Sequence, residues 1–170
     1  MTQLGDLSYN LKSFCPGADN MPTLNAILVA AQQRANDADL NYSGTLTPQE
    51  AAYLAEHAPG AVIVDVRSQA ERDLVGFIDK AVAIEWQTYP DWHPNPYFIP
   101  QLKAAVDTEA LVMFICRSGN RSHHAATAAQ LAGYGSTYNI AEGFEGEKDK
   151  AGHRGATNGW KAAALPWAQK

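Results

Sequence analysis

With 170 residues and 46% hydrophobic content, the chain is long enough to bury a core and fits about one domain plus a small appendage. A net charge of −5 without a basic run argues against nucleic acid or an anionic membrane as the main partner, so a small anionic ligand would need local positive charge. Two cysteines, Cys15 and Cys116, make no disulfide framework and point to free thiols in a reducing compartment. No basic segment precedes an apolar core at the N-terminus, and the longest apolar stretch is far short of the roughly 20 residues of a membrane span, so a cytoplasmic location is expected.

In chain order, residues 1–21 mix Gly5, Asn10, Cys15, Pro16, Gly17 and Asn20 without periodicity and are expected to form an arm laid on the surface or a partly disordered one. From Pro22, Leu24, Ile27, Leu28, Ala31 and Ala35 follow the spacing of one apolar helical stripe, which predicts a docking helix. Residues 1–43 are thus read as an N-terminal arm and docking helix, ahead of a domain over 44–170. Thr47-Pro48-Gln49-Glu50 joins an N-cap, a proline at the first helical position and a glutamate at N3, a capping box for a helix to about Glu56. Ala61 to Val66 is a β-branched run, Gln69 to Leu74 is short and helical, and Ala81 to Ile84 is apolar again. Ile99 to Val106 reads as a helix and Leu111 to Ile115 as a wholly apolar strand. Ser122 to Ala132 is an alanine-rich helix stopped by Gly133, and Thr137 to Ile140 is a fourth strand. Apolar strands alternating with helices predict an α/β fold, an open parallel sheet flanked by helices with an N-terminal helical extension.

The segment Cys116-Arg117-Ser118-Gly119-Asn120-Arg121 lies at the carboxyl end of the Leu111 to Ile115 strand and opens a helix, the edge at which open α/β sheets bind ligands. Successive backbone N–H groups and a helix N-terminus make such a loop an anion cradle, and Gly119 permits a turn that a side chain would obstruct. A thiolate at Cys116 would be stabilised there, and Arg117 and Arg121 would add fixed charge for an oxyanion. The candidate site is therefore Cys116 as nucleophile, with Arg117, Ser118, Gly119, Asn120, Arg121 and Ser122 binding substrate.

Over roughly Gly44 to Trp167 these residues resemble the rhodanese family, and the six-residue loop with arginine second and sixth looks like its thiosulfate-using branch. Val62-Ile63-Val64-Asp65-Val66-Arg67 with Glu71, and Gly76-Phe77-Ile78 with Ala81, resemble two further family segments. Phe77 stands where histidine commonly follows the glycine. The late double glycine is represented only by Gly143-Phe144, with Gly159-Trp160 beyond an insertion. These departures are expected to alter the outer wall of the pocket. The resemblance implies that Cys116 takes the outer sulfur of thiosulfate or a persulfide donor, releases sulfite in the thiosulfate case, and hands the sulfur to a thiophilic acceptor. A role in sulfur metabolism follows, with a small anionic donor, a protein as possible sulfur acceptor, and no cofactor, metal, nucleic acid or membrane. The alternatives are a structural buried cysteine, a cysteine-dependent phosphatase of the same fold, and a non-catalytic sulfur-carrier or partner-binding module. The phosphatase loop is one residue longer, whereas Ser122 here holds the position its arginine would need.

Several features are assigned secondary roles. Asp39 to Glu50 matches a calcium-binding EF-hand loop at positions 1, 3, 5, 6, 9 and 12, but helix capping already accounts for its last residues. The five histidines show no zinc spacing. Asp65 is expected to cap loop N–H groups, and Arg67 to pair with a carboxylate such as Glu71. The aromatic segment from Trp86 to Phe98 is either a lip around Cys116 or a cover over the core. The insertion from Glu145 to Asn158 is read as a solvated excursion, with partner docking as the alternative.

Overall fold

The computed structural model describes residues 22–170; the surface arm expected over 1–21, and Cys15 with it, lies outside the described residues. The elements are α1 (Leu24–Asp37), β1 (Gly44–Leu46), α2 (Pro48–His57), β2 (Ala61–Asp65), α3 (Gln69–Val75), β3 (Val82–Ala83), β4 (Gln87–Thr88), β5 (His93–Pro94), α4 (Phe98–Ala105), β6 (Leu111–Ile115), α5 (Asn120–Leu131) and β7 (Ser136–Ile140). Five strands form one sheet in the order β1-β7-β6-β2-β3, every pair parallel, while β4 and β5 make a separate antiparallel hairpin.

Helices on both faces explain why β2 and β6 are apolar without alternation. On one face Val64, Val112 and Phe114 pack with Phe98 and Leu102 of α4 and Ala125, Ala126 and Ala129 of α5. On the other, Ile63, Met113 and Ile115 pack with Ile27 and Ala31 of α1 and Ala51 and Leu54 of α2. The alanines of α5 let that helix approach closely, as does Gly44 under α1. A Cβ on Gly44 would stand 2.8 Å from the Tyr138 ring and 2.9 Å from the backbone of Ala31.

The capping box at α2 is formed as read, with Thr47 Oγ1 accepting from the Glu50 N–H at 3.2 Å and Glu50 accepting from the Thr47 N–H at 2.9 Å. Arg34 donates to both Glu50 oxygens as well, at 2.9 and 2.5 Å, so the residue at the twelfth loop position of the calcium match is committed to an ion pair between α1 and α2. Gly44–Leu46, inside the same match, is a strand of the main sheet. Two boundaries shift. α5 begins two residues before Ser122, so Asn120 and Arg121 belong to its first turn, and the strand expected over Ala81 to Ile84 pairs only through Val82–Ala83 at the sheet edge. Among the described residues no helix is long and apolar enough to cross a membrane.

Candidate active site

Side chains alternate along β6, so Cys116, just past its end, follows Val112 and Phe114 to the α5 side, whereas Met113 and Ile115 face α1 and α2. The chain then turns through Gly119, at φ 94°, into α5. A Cβ on Gly119 would lie 1.8 Å from the carbonyl oxygen of Ala141, so glycine alone lets the loop rest on the segment after β7. That segment grips the loop from behind. The Phe144 N–H donates to the Cys116 carbonyl at 2.8 Å, and the N–H groups of Glu145 and Gly146 donate to the Arg117 carbonyl at 3.0 and 3.1 Å. Each tied carbonyl belongs to a planar peptide whose N–H points the opposite way, so the amides of Arg117 and Ser118 face away from that segment.

Cys116 is a free thiol, 1% exposed, and its Sγ accepts the Gly119 N–H at 3.1 Å and the Ser122 hydroxyl at 3.2 Å. It forms the floor of a cleft of about 270 Å³ lined also by Gln87, Trp92, Arg117, Ser118, Asn120, Arg121 and Arg154. Of the seven candidate residues, five line this cleft; Gly119 and Ser122 are buried beneath it, in contact with the sulfur. Asn139 donates to the Gly119 carbonyl at 3.2 Å and so holds the peptide that follows the donor N–H.

The arginines differ in their company. Arg121 makes a two-pronged contact with Glu71, 2.7 Å on each side, and its guanidinium lies 5.3 Å from the Trp92 ring. Arg117 stands between two carboxylates, 3.5 Å from Glu71 and 3.6 Å from Glu145. The expected Arg67–Glu71 pair is not formed. Arg67 is wholly buried and pairs with Asp65 at 2.6 Å, because residues two apart on an extended strand end point the same way. Arg67 also donates to the Gly76 carbonyl at 2.9 Å and stacks 3.9 Å from the Phe144 ring, while Asp65 accepts the Arg67 N–H at 3.0 Å, the loop-capping role read for it.

A rhodanese-like domain family model matches residues 47–150, more than half of the chain. The chain belongs to the rhodanese-like family. Among solved structures it is similar to Rv0390 from M. tuberculosis, 43% identical with a TM-score of 0.71, covering 76% of this chain and 100% of that one. The polysulfide-sulfur transferase homodimer from Wolinella succinogenes, 23% identical with a TM-score of 0.53, shares the fold over 84% of this chain and 88% of its own. A protein from Rhodopseudomonas palustris described as a possible tyrosine phosphatase is 25% identical with a TM-score of 0.51, covering 88% of this chain and all of that one. An uncharacterized protein of Rickettsia conorii is 37% identical over 113 residues, 63% of this chain and 82% of its own length.

Where the chain departs from the usual rhodanese pattern, the consequences are local. Phe77 lines a separate cavity of about 250 Å³ with Asp65, Gln69 and Asp73, not the Cys116 cleft, so its replacement of histidine leaves the cleft wall untouched. Gly143 keeps its structural purpose, since a Cβ there would stand 2.6 Å from the backbone of Arg117. The aromatic segment divides between the two roles considered for it. Trp86 and Phe98 meet edge to face at 5.0 Å against the core, while Trp92 walls the cleft and meets Tyr89 at 5.8 Å. Gln87, Trp92 and Arg154 are the cleft residues that the candidate set missed. The insertion's length and its single arginine were the available signals for Arg154.

Burial alone would raise the Glu71 carboxyl, but the hydrogen bonds and charge of Arg121, with Ser68, outweigh it and bring it from 4.5 down to about 2. A depressed folded-state value means that Glu71 contributes stability above pH 4.5, and loses it as the pH falls toward 2. The linkage is worth roughly 3 kcal/mol. Glu71→Gln is expected to lower the denaturation midpoint at pH 7 by an amount equivalent to about 3 to 5 kcal/mol, because it strands the largely buried Arg121 charge. The gap from wild type should narrow as the pH drops below 4.5. Denaturant melts at stepped pH measure this, and a gap independent of pH would contradict it.

Proposed function

We propose that this protein is a sulfurtransferase that carries sulfane sulfur as a persulfide on Cys116, with thiosulfate or a persulfide as donor and a thiophilic acceptor. The observation that carries this reading is the sulfur itself: a free Cys116 Sγ at the floor of an arginine-lined cleft, accepting one backbone N–H and one hydroxyl. Donors so placed stabilise a thiolate and, after reaction, the negative terminal sulfur of a persulfide. With thiosulfate, the Cys116 thiolate attacks the outer sulfur, a new S–S bond forms, and the old S–S bond breaks with its electron pair leaving on sulfite. An acceptor thiolate or cyanide then attacks the terminal sulfur, and the Cys116 thiolate is returned.

In this reading Arg117, Ser118 and Asn120 face the donor, Gly119 and Ser122 hold the sulfur, and Arg121 shapes the wall through Glu71. A buried, merely structural cysteine would not call for the polar lining above it. A phosphatase would use the same nucleophile, and the Rhodopseudomonas palustris relative makes that the reading to test against. Intact mass after incubation with thiosulfate decides between them. Gain of one sulfur atom, removed by cyanide or dithiothreitol, is expected. No gain, together with Cys116-dependent hydrolysis of an aryl phosphate, would overturn the sulfurtransferase reading.

A further inference from the structure

The insertion between β7 and the C-terminal segment does more than fill solvent. Arg154, near its middle, lines the cleft that holds Cys116, although 38 positions separate the two (154 less 116). Its placement is built. The guanidinium donates to the Gly146 carbonyl, and the Gly146 N–H donates to the Arg117 carbonyl at 3.1 Å, so Arg154 is joined to the Cys116 loop through Gly146 by two hydrogen bonds in series. Gly146 itself admits no side chain, since a Cβ would stand 2.0 Å from the Asn158 carbonyl oxygen. Asp149 closes the turn ahead of Arg154 by accepting the N–H groups of Ala151 and His153 at 2.9 and 2.8 Å, and the Gly155 N–H donates to the Glu145 carbonyl at 2.8 Å just behind it.

The charge count in the cleft singles this residue out. Arg121 is neutralised by Glu71, and Arg117 is flanked by Glu71 and Glu145. Arg154 has no carboxylate within 4.0 Å among the described residues and is held by a neutral carbonyl only. Apart from the Cys116 thiolate itself, three guanidinium groups face two carboxylates, and the group without a carboxylate partner is Arg154. A guanidinium fork is also the side chain best matched to a planar set of oxyanion acceptors.

We propose that Arg154 is the specificity-determining residue of the cleft, binding the anionic end of the sulfur donor and selecting sulfonate-like donors over neutral ones. This deepens the sulfurtransferase reading and rests on Cys116 being the reactive thiol. The donor's oxyanion lies between Arg154 and the loop amides, with its outer sulfur toward Cys116. The insertion thereby turns a general thiolate cradle into a site for a charged donor.

The test uses the full chain carrying Cys15→Ala, so that Cys116 is the alkylated thiol, with Arg154 as arginine, Arg154→Gln or Arg154→Lys. Alkylation rates with iodoacetate and with neutral iodoacetamide are compared, alongside thiosulfate:cyanide kinetics. Arg154→Gln is expected to lower the iodoacetate to iodoacetamide rate ratio about tenfold and to raise the thiosulfate KM about ten- to hundredfold, while kcat and the iodoacetamide rate change less than about threefold. Arg154→Lys should keep most of the charge preference and lose part of the thiosulfate affinity. A ratio and a KM that stay within about twofold of the arginine form overturn the proposal, as does an iodoacetamide rate that falls in step with iodoacetate. If thiosulfate gives no sulfur transfer even with Arg154 present, but the alkylation ratio still collapses in Arg154→Gln, anion selection stands and the sulfurtransferase reading is what fails.

Discussion

Cys116→Ala is expected to reduce thiosulfate-dependent sulfur transfer to the uncatalysed background and to eliminate the gain of sulfur seen by intact mass. On the proposed mechanism the loss is complete, because the Cys116 sulfur would be the carrier and no neighbouring group can replace it. The two groups that contact Sγ, the Gly119 N–H and the Ser122 hydroxyl, are donors with no sulfur to offer. The fold should survive. The side chain is small and the deletion removes one heavy atom from a core that includes Phe114 and Ala125, a cost of about 1 kcal/mol. A circular-dichroism melt close to that of the wild type would separate lost chemistry from lost structure. Cys15→Ala should retain most of the activity, since in the sequence Cys116, not Cys15, carries the loop with two arginines and a turn glycine. Equal loss in both variants would point instead to a disulfide relay between them.

Gly119→Ala should be the most damaging change that leaves every reactive group in place. The added Cβ would overlap the Ala141 carbonyl oxygen at 1.8 Å, and the residue would be forced to keep a φ of 94° that side-chain-bearing residues rarely adopt. Relief requires the loop to lift away from the segment after β7, and that motion carries off the N–H now 3.1 Å from Cys116 Sγ. Loss of one donor of this kind costs on the order of a hundredfold in rate. Strain and clash together should lower stability by about 2 to 4 kcal/mol. Gly133→Ala serves as the control. It sits at φ 100° with nothing within 4 Å of an added Cβ, so it shares the backbone strain without the clash. It should lose about 1 kcal/mol and keep its activity. Full sulfur transfer by a folded Gly119→Ala would remove the loop N–H from the mechanism.

Both experiments depend on features of very different legibility. The β-branched run at Ala61 and the apolar run at Leu111 could be read as buried strands because backbone pairing and burial on two faces leave a continuous pattern over five residues. The α2 capping box was equally plain, since its donors and acceptors lie three positions apart. The cysteine loop was visible for the same reason: strand, turn glycine and helix start are adjacent in the chain. The end of the helix at Gly133 was legible too, whereas its start at Asn120 was placed late. The left-handed turn at Gly119 lets helical backbone begin without a side-chain cap, so no capping residue marks the boundary.

Residue order thus determined four of the seven strands among the described residues, β2, β3, β6 and β7, most of the helix boundaries and the position of the candidate nucleophile. All of these rest on interactions within a few residues or on a repeating pattern of burial, whereas β1, β4 and β5 span two or three residues and carry no such pattern. The tertiary structure alone decided which charges meet. Glu71 pairs with Arg121 across 50 positions, a partner that no local spacing ranks above the others, and this leaves Arg67 to Asp65, its neighbour on the same face of the strand end. It also brought Arg154 from the insertion to the mouth of the Cys116 cleft, and split the aromatic segment between core and wall. Ion pairs and cleft walls depend on which surfaces the packed sheet and helices bring within a few ångströms, and that proximity has no period along the chain to betray it.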